Sequence, residues 1–375
     1  MSKMGRRQIG AIILSAGRST RQNGFKPALA IGPNTALEHC LRLFASAGLE
    51  NVVAVLGHRA DELLPAVRKA GARPVIHSDY DRGMFSSVQA GVAALPGTVA
   101  AFFVLPVDIP LVRVLTIQVL LDRLSANPEA DAIVPAFRDR TGHPPLIRAT
   151  LRGKIAAHEG TRGLRGVLEQ SAVVSAAVPD QHILVDIDTP AQYQRAVGLW
   201  QRHGIPVPGE ARILLDWVCG KNSDIVAHSR AVAGIAEKLA DAVHAATGIP
   251  LDTDLVVAGA LLHDIAKGHP DHAAVGASQL RSWGFAVALA NIVACHADWD
   301  PADSTPVSEA ELVYLADKLV WDSRPGPLDA RFQAKYERFA GDPESRQAVM
   351  QRWQQAKTVC RRVELVIGRP IDPFL

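Results

Sequence analysis

Lys26, Asp108 and the closely spaced pair Asp186 and Asp188 are one cation and three carboxylates, each set in a short polar segment beside apolar runs. Arg18 and Arg21 add positive charge to the loop that carries Lys26. These residue types suit a nucleoside triphosphate, because Lys and Arg neutralise phosphate oxygens and a carboxylate at a strand end is a hard ligand for Mg²⁺. Asp186 and Asp188 are separated by one residue, and at most one of them is expected to meet Asp108 across a site. A second set, His228, His263-Asp264 and Asp317, sits in three successive helix-like segments of the C-terminal half. Imidazole and carboxylate together bind divalent transition metals, and facing helices can complete such a coordination sphere.

The elements that must position the first set alternate in type. Ile9–Leu29, IGAIILSAGRSTRQNGFKPAL, is an apolar run that breaks at Ser15-Ala16-Gly17 into a loop of small residues, where backbone N–H groups can approach phosphate. Helical periodicity over Thr35–Ala47, Asp61–Ala70 and Leu115–Leu124 alternates with strand-like Asn51–Leu56, Arg73–Ile76, Val99–Leu105 and Ala132–Pro135. This order predicts an α/β fold with a mainly parallel sheet and helices on both faces, ligands being bound beyond the carboxyl ends of the strands. For the second set, Leu255–Lys267 (LVVAGALLHDIAK) predicts an apolar helix delivering His263 and Asp264 side by side. From Ala211 to Arg324 helical patterns dominate, which predicts an all-α domain.

The ordered motifs SAG-x-S-x-R-x-x-x-x-K, HSDYDRGMFSSVQAG, LPVDIP, GHP and VDIDTP, from about Gly10 to Ala196, resemble the molybdenum cofactor cytidylyltransferase branch of the Rossmann-like nucleotidyltransferases. The resemblance implies transfer of CMP from CTP to molybdopterin with release of pyrophosphate. It further implies that Leu14, Ser15, Ala16, Gly17, Arg18 and Arg21 surround the triphosphate and that Lys26 balances phosphate charge. Asp108 and Asp188 would hold Mg²⁺, while Gly83, Ser86, Ser87 and His143 would face the acceptor. Ser15 departs from the Ala usual in that branch, and Gln192 stands where an acid is frequent, which suggests a variable surface position. GTP, a sugar or polyol phosphate, or a nucleotide-sensing or cofactor-insertion role with a degenerate domain are the competing expectations.

His228, His263-Asp264 and Asp317 resemble the HD superfamily of metal-dependent phosphohydrolases. That likeness implies a metal site for Mn²⁺ or Fe²⁺, a second metal recruiting His272 and His296, and Lys267 near the leaving or bridging oxygens. A bifunctional enzyme is therefore expected: nucleotidyltransferase over 8–200, linker 201–210, HD domain 211–324, and a helical extension 325–375. The extension is expected to pack on the α-domain or make a homodimer contact.

The chain has 375 residues, 48% of them hydrophobic, enough for real cores. A formal charge of +2 argues against nucleic acid or an anionic membrane as the main partner. The four cysteines are dispersed without a Cys-x-x-Cys pair, and neither a signal peptide nor an apolar run of membrane-spanning length is evident, so a cytoplasmic protein is expected. A molybdoenzyme that receives the cofactor is the expected protein partner.

Overall fold

The computed structural model describes residues 5–19, 24–299 and 306–372. The chain divides into two compact units, Met1–His203 and Gly204–Leu375.

In the first unit, strands β1 (Ile9–Ser15), β2 (Asn51–Leu56), β3 (Arg73–Ile76), β4 (Ala101–Pro106), β5 (Ala132–Phe137), β6 (Arg140–Thr141), β7 (Leu146–Arg148) and β8 (Val173–Ala177) form one sheet. Its order is β8-β5-β7-β4-β1-β2-β3, with β6 on β5. The expected parallel pairing holds for β1 with β2 and β4, for β2 with β3 and for β5 with β8. The short β7 and β8 have no counterpart in the sequence pattern, and β7 runs antiparallel between β4 and β5. All seven residues of β1 are buried, as expected of a central strand flanked by two parallel neighbours.

The helices of this unit are α1 (Ala36–Ser46), α2 (Ala60–Lys69), α3 (Met84–Ala94), α4 (Val114–Ala126), α5 (Arg152–Ala157), α6 (Gly163–Leu168) and α7 (Pro190–Gln201). Thr35 starts α1 with a capping box: its hydroxyl accepts from Glu38 N at 3.3 Å, and Glu38 accepts from Thr35 N at 2.7 Å. Phe85, Val88 and Val92 of α3 join Ile12, Val53, Phe102 and Val104 in the core. Gly91 makes that packing close, since a Cβ there would lie 2.4 Å from Ile12 Cγ2.

At the end of the unit a buried Asp180 accepts from Arg113 N at 2.7 Å and from the Thr116 hydroxyl at 2.8 Å. Arg113 in turn donates to the His203 carbonyl, and His203 Nε2 donates to Leu111 O at 2.8 Å. Burial, with Arg113 and His182 adding to it, pushes the His203 pKa down to about 3. The ring is therefore neutral at any ordinary pH.

The second unit contains α8 (Pro208–Cys219), α9 (Asp224–Thr247), α10 (Thr253–Leu262), α11 (His272–Ser282), α12 (Val287–Cys295), α13 (Glu309–Lys318), α14 (Leu328–Arg338) and α15 (Pro343–Ile367), plus one hairpin of Val320–Trp321 with Arg324–Pro325. Every residue from Leu255 to Leu262 is buried, so α10 is apolar all round and lies among α8, α9, α12 and α13. A Cβ on Gly259 would meet Ile292 Cγ2 at 2.6 Å, which is why α12 can approach so closely. One expectation is corrected: the helix stops at Leu262 rather than running to Lys267, leaving His263 and Asp264 on the turn beyond it. The C-terminal helix α15 packs on α9, α13 and α14. Among the described residues no helix is long and apolar enough to cross a membrane.

Candidate functional sites

The first site lies beyond the carboxyl ends of β1 and β4. β1 ends at Ser15, and the chain passes through Ala16 to Gly17. β4 ends at Pro106, and Val107 N donates to Leu14 O at 3.0 Å, so Asp108 follows a segment still stitched to β1. Ile187 N donates to Asp108 O at 3.0 Å and thereby ties the Asp186–Asp188 segment to the same place. Lys26 opens a 3₁₀ turn whose next residue, Pro27, suits a first-turn position. Its ammonium donates to Asp188 Oδ1 and lies 3.7 Å from Asp108 Oδ2, with all three side chains largely buried.

Burial raises the Asp108 pKa, and the charges of Asp188 and Asp186 raise it further against the pull of Lys26. Two crowded carboxylates and one lysine make a cluster that gains from additional positive charge, and Asp108 with Asp188 is a donor set that fits Mg²⁺.

Asp186 turns elsewhere and accepts from Gln192 Nε2. Gln192 also completes the capping box of α7, taking Thr189 N at 2.8 Å and donating to the Thr189 hydroxyl at 3.3 Å. It is thus a structural residue that engages the acid facing away from Lys26, not the surface variation its sequence position suggested.

The remaining candidates of this unit divide. The Ser15 hydroxyl is buried without a hydrogen-bond partner, and Leu14 and Ala16 are buried beside it, whereas Gly17 is exposed. A Cβ on Gly17 would meet nothing within 4 Å, so crowding by protein does not explain that glycine. Gly57 shows the opposite: a Cβ there would sit 2.7 Å from Ala16 O, a close approach that holds the loop after β2 against the SAG turn.

Arg18 makes a two-pronged, exposed ion pair with Asp81, Nη2 to Oδ2 at 2.6 Å. Arg21 lies outside the described residues. Ser86 is used internally: its hydroxyl donates to Gly83 O at 2.7 Å and contacts His77 Nε2 at 2.8 Å. Gly83 adopts φ +99° ahead of α3, a conformation that favours glycine, and Ser87 is buried in that helix. His143 has a buried Nδ1 without a partner, and burial lowers its pKa.

The second site gathers six side chains at or near helix ends. His228 comes from α9, His263 and Asp264 follow α10, His272 begins α11, His296 follows α12 and Asp317 lies near the end of α13. Three imidazoles contact backbone carbonyls through Nδ1: His228 with Asp322 O at 2.6 Å, His263 with Ala260 O at 2.8 Å and His296 with Val293 O at 2.7 Å. A carbonyl only accepts, so each ring carries a proton on Nδ1 and turns Nε2 inward, the usual arrangement for a metal-binding imidazole.

Those inward nitrogens converge on carboxylates. His228 Nε2 lies 3.2 Å from Asp317 Oδ1, and His263 Nε2 lies 3.5 Å from Asp264 Oδ2 and 3.8 Å from Asp317 Oδ1. The other oxygen of Asp264, Oδ1, faces His272 Nε2 at 3.2 Å and His296 Nε2 at 3.4 Å. Two clusters compact enough for a cation, His228-His263-Asp264 and Asp264-His272-His296, therefore share one aspartate.

The fit to a cation rests on His263, which is fully buried and whose Nε2 has no hydrogen-bond partner. Burial pushes the His263 pKa down, yet the nearby Asp264 and Asp317 raise it above the ordinary value. The field at that nitrogen asks for positive charge, which a divalent cation supplies. Despite their burial, Asp264 and Asp317 are held well below the usual carboxylate range, Asp264 first by His263 and His296, and Asp317 first by Lys318 and His228.

Lys267 donates to Asp264 Oδ2 at 2.9 Å from a half-exposed position. Arg331 donates to the carbonyls of Asp317 and Val320, and Lys318 donates to Asp317 Oδ2 at 2.8 Å and to His296 O at 3.0 Å. Lys267 is the cation expected here from its place after His263-Asp264; Lys318 and Arg331 are not expected, although Arg331 belongs to a visible run of cations at helical spacing.

Residues 11–176 match the MobA-like NTP transferase domain, and residues 225–322 match the HD domain. The chain is 27% identical over 186 residues to the molybdenum cofactor cytidylyltransferase of Escherichia coli K12, covering 49% of this chain and 93% of that protein. It is 30% identical over 145 residues to the bifunctional protein GlmU of Corynebacterium diphtheriae, covering 36% of this chain. The chain spans only 30% of the length of that relative. Among solved structures, Rv0371c from Mycobacterium tuberculosis H37Rv aligns with a TM-score of 0.44 and 27% identity, over 52% of this chain and all of that one.

Proposed function

From a chain that carries a MobA-like NTP transferase domain followed by an HD domain, we propose a bifunctional cytoplasmic enzyme: a cytidylyltransferase acting on molybdopterin, joined to a phosphohydrolase. The observation that carries the first activity is Lys26 bridging Asp108 and Asp188 beyond the parallel strands. Likeness to a molybdenum cofactor cytidylyltransferase over nearly that protein's full length supports the acceptor and CTP.

In the transfer, an oxygen of the acceptor's terminal phosphate attacks the α-phosphorus of CTP, the bond to the β-phosphate oxygen breaks, and pyrophosphate leaves. This chemistry needs positioning and charge neutralisation rather than a protein nucleophile. Mg²⁺, when bound, would neutralise charge on the triphosphate, and Asp108 and Asp188 would hold it. Lys26 adds a fixed cation, and the Leu14–Gly17 turn offers backbone N–H groups to phosphate. Arg18 borders the same turn, Arg21 would add charge for the triphosphate, and Gly83, Ser86, Ser87 and His143 would face the acceptor. The transferred cofactor would pass to a molybdoenzyme.

The test is product analysis with each of the four nucleoside triphosphates and molybdopterin. A cytidylyl product that disappears in Asp108→Ala is expected, and turnover of a sugar phosphate in place of molybdopterin would end the acceptor assignment.

The hydrolase half rests on the orphan Nε2 of His263 and the two-sided Asp264. His228, His263, Asp264 and Asp317 would hold one cation, and Asp264, His272 and His296 a second. Mn²⁺ or Fe²⁺, when bound, supplies Lewis acidity and lowers the pKa of water for attack on phosphorus. Lys267, beside Asp264, is the cation nearest to hand for a leaving oxygen. Metal analysis of the protein as purified, followed by phosphate-release assays, tests this half.

A further inference from the structure

The clustered imidazoles and carboxylates of the second unit open into a cavity of about 770 Å³. Six cations line it, Lys267, Lys318, Arg331, Lys335, Arg338 and Arg352, against four aspartates. A pocket built only to hold divalent metal would be acidic; this one is already net cationic before any metal enters, so its ligand must bring several negative charges. Four of the six cations belong to α14 and α15, beyond residues 225–322 that match the HD domain.

The six are not equivalent. Lys267, Lys318, Arg331 and Arg352 are each held by a carboxylate or carbonyl, Arg352 by Asp298 at 2.8 Å. Lys335 and Arg338 make no hydrogen bond or ion pair with the described residues, yet both line the cavity. Arg331, Lys335 and Arg338 stand at i, i+4 and i+7, one face of α14; Arg331 already faces Asp317 Oδ1 at 3.7 Å, whereas Lys335 and Arg338, in the last turn, have no such acid among the described residues. Beside them Trp321 is 50% exposed and lines both this cavity and an adjoining one of about 310 Å³. An exposed indole at the junction of two cavities is a stacking surface for a flat ring.

We propose that α14, with the Trp321 hairpin, forms a recognition wall for a nucleotide-type substrate, in which two or more linked phosphates reach Lys335 and Arg338 and a flat ring lies on Trp321. The proposal rests on the HD domain being a metal-dependent phosphohydrolase, as argued above. It gives the C-terminal extension a role in choosing the substrate, separate from the metal ligands.

The test uses the full chain loaded with Mn²⁺, in an Asp108→Ala background that silences nucleotidyl transfer, with CMP, CTP and inorganic tripolyphosphate as probes. Phosphate release is expected with kcat/KM for CTP at least about tenfold above CMP, the preference expected of two additional charge-assisted contacts. The Lys335→Gln/Arg338→Gln double variant should collapse that ratio to about twofold or less through KM, with metal content retained, and Lys335→Arg/Arg338→Lys should restore it. Trp321→Ala should lower kcat/KM for CTP and spare tripolyphosphate.

Equal use of CMP and CTP by the parent, or a ratio that survives in the double variant, overturns the wall. Loss of tripolyphosphate turnover in Trp321→Ala overturns the ring contact. If no probe is hydrolysed by metal-loaded protein, the hydrolase assignment falls, and calorimetric binding of tripolyphosphate then decides the wall separately. Weaker binding in the double variant than in its parent sustains the proposal, and equal binding ends it.

Discussion

The two sites both set lysines against carboxylates, but only the second adds a ring of imidazoles. Beyond the parallel sheet, Lys26 already sits between Asp108 and Asp188, so the carboxylates carry an internal counter-ion. Among the helices, His263 presents a buried nitrogen with no partner, and Asp264 divides its two oxygens between two sets of imidazoles. The contrast teaches that the first site can rest without metal while its own lysine holds the acids. The second also has lysines on its acids, Lys267 on Asp264 and Lys318 on Asp317, but adds converging imidazole nitrogens, that of His263 without a partner, and so is a pre-shaped set of ligands for a cation.

The comparison breaks most sharply if metal dependence can be separated between the halves. Asp108→Ala should reduce nucleotidyl transfer on the order of 10³-fold, several kcal/mol of transition-state stabilisation, while metal bound by the helical unit stays constant; steady-state transfer assays with elemental analysis check both. His263→Ala should do the converse, lowering metal affinity and phosphohydrolysis by at least about 100-fold and leaving transfer intact. Were transfer to fall with it, the two sites would not be independent.

The ligand ring also depends on the buried helix behind it. Leu261→Ala, at a fully buried position of α10, should cost about 2–5 kcal/mol of stability and lower the urea midpoint.

A pH comparison sharpens the contrast further. His203 is neutral in the folded protein down to about pH 3 but takes a proton below 6.5 when unfolded. Below 6.5 the unfolded chain therefore binds more protons. The stability His203 confers is present above that pH and is lost as pH falls toward 3. His203→Gln should flatten this part of the stability curve, measured by denaturation at each pH.

The smallest effect concerns Lys335, whose pKa is pushed down to about 8 by desolvation in the cavity and by Arg331 and Lys318, with Lys267 adding and Asp317 opposing. It is charged below pH 8 and neutral above, so KM for a polyphosphate should rise about threefold as pH passes 8, and Lys335→Arg should remove the rise.

Particular residues show how much was legible beforehand. The alternation of apolar runs with helical periods yields β1, β2, β3, β4 and β5 close to their observed bounds, because a buried parallel strand must be a continuous apolar run. The three-residue β7 leaves no such pattern, since its pairing with β4 and β5 is decided by neighbours far away in sequence. Spacing alone does not choose between Asp186 and Asp188; Gln192 makes the choice by bonding Asp186 while Lys26 takes Asp188.

The chemistry of this protein was set in its sequence: which acids, imidazoles and lysines exist, and which apolar segments must be buried to bring them near one another. Tertiary structure alone decided how they divide: Arg18 committed to Asp81, Asp264 shared between two clusters, and a row of cations on α14 turned toward the metal ligands. The reason is physical. Side-chain type and local period are properties of neighbouring residues, whereas an ion pair or an orphaned nitrogen depends on atoms that only long-range packing brings within a few ångströms.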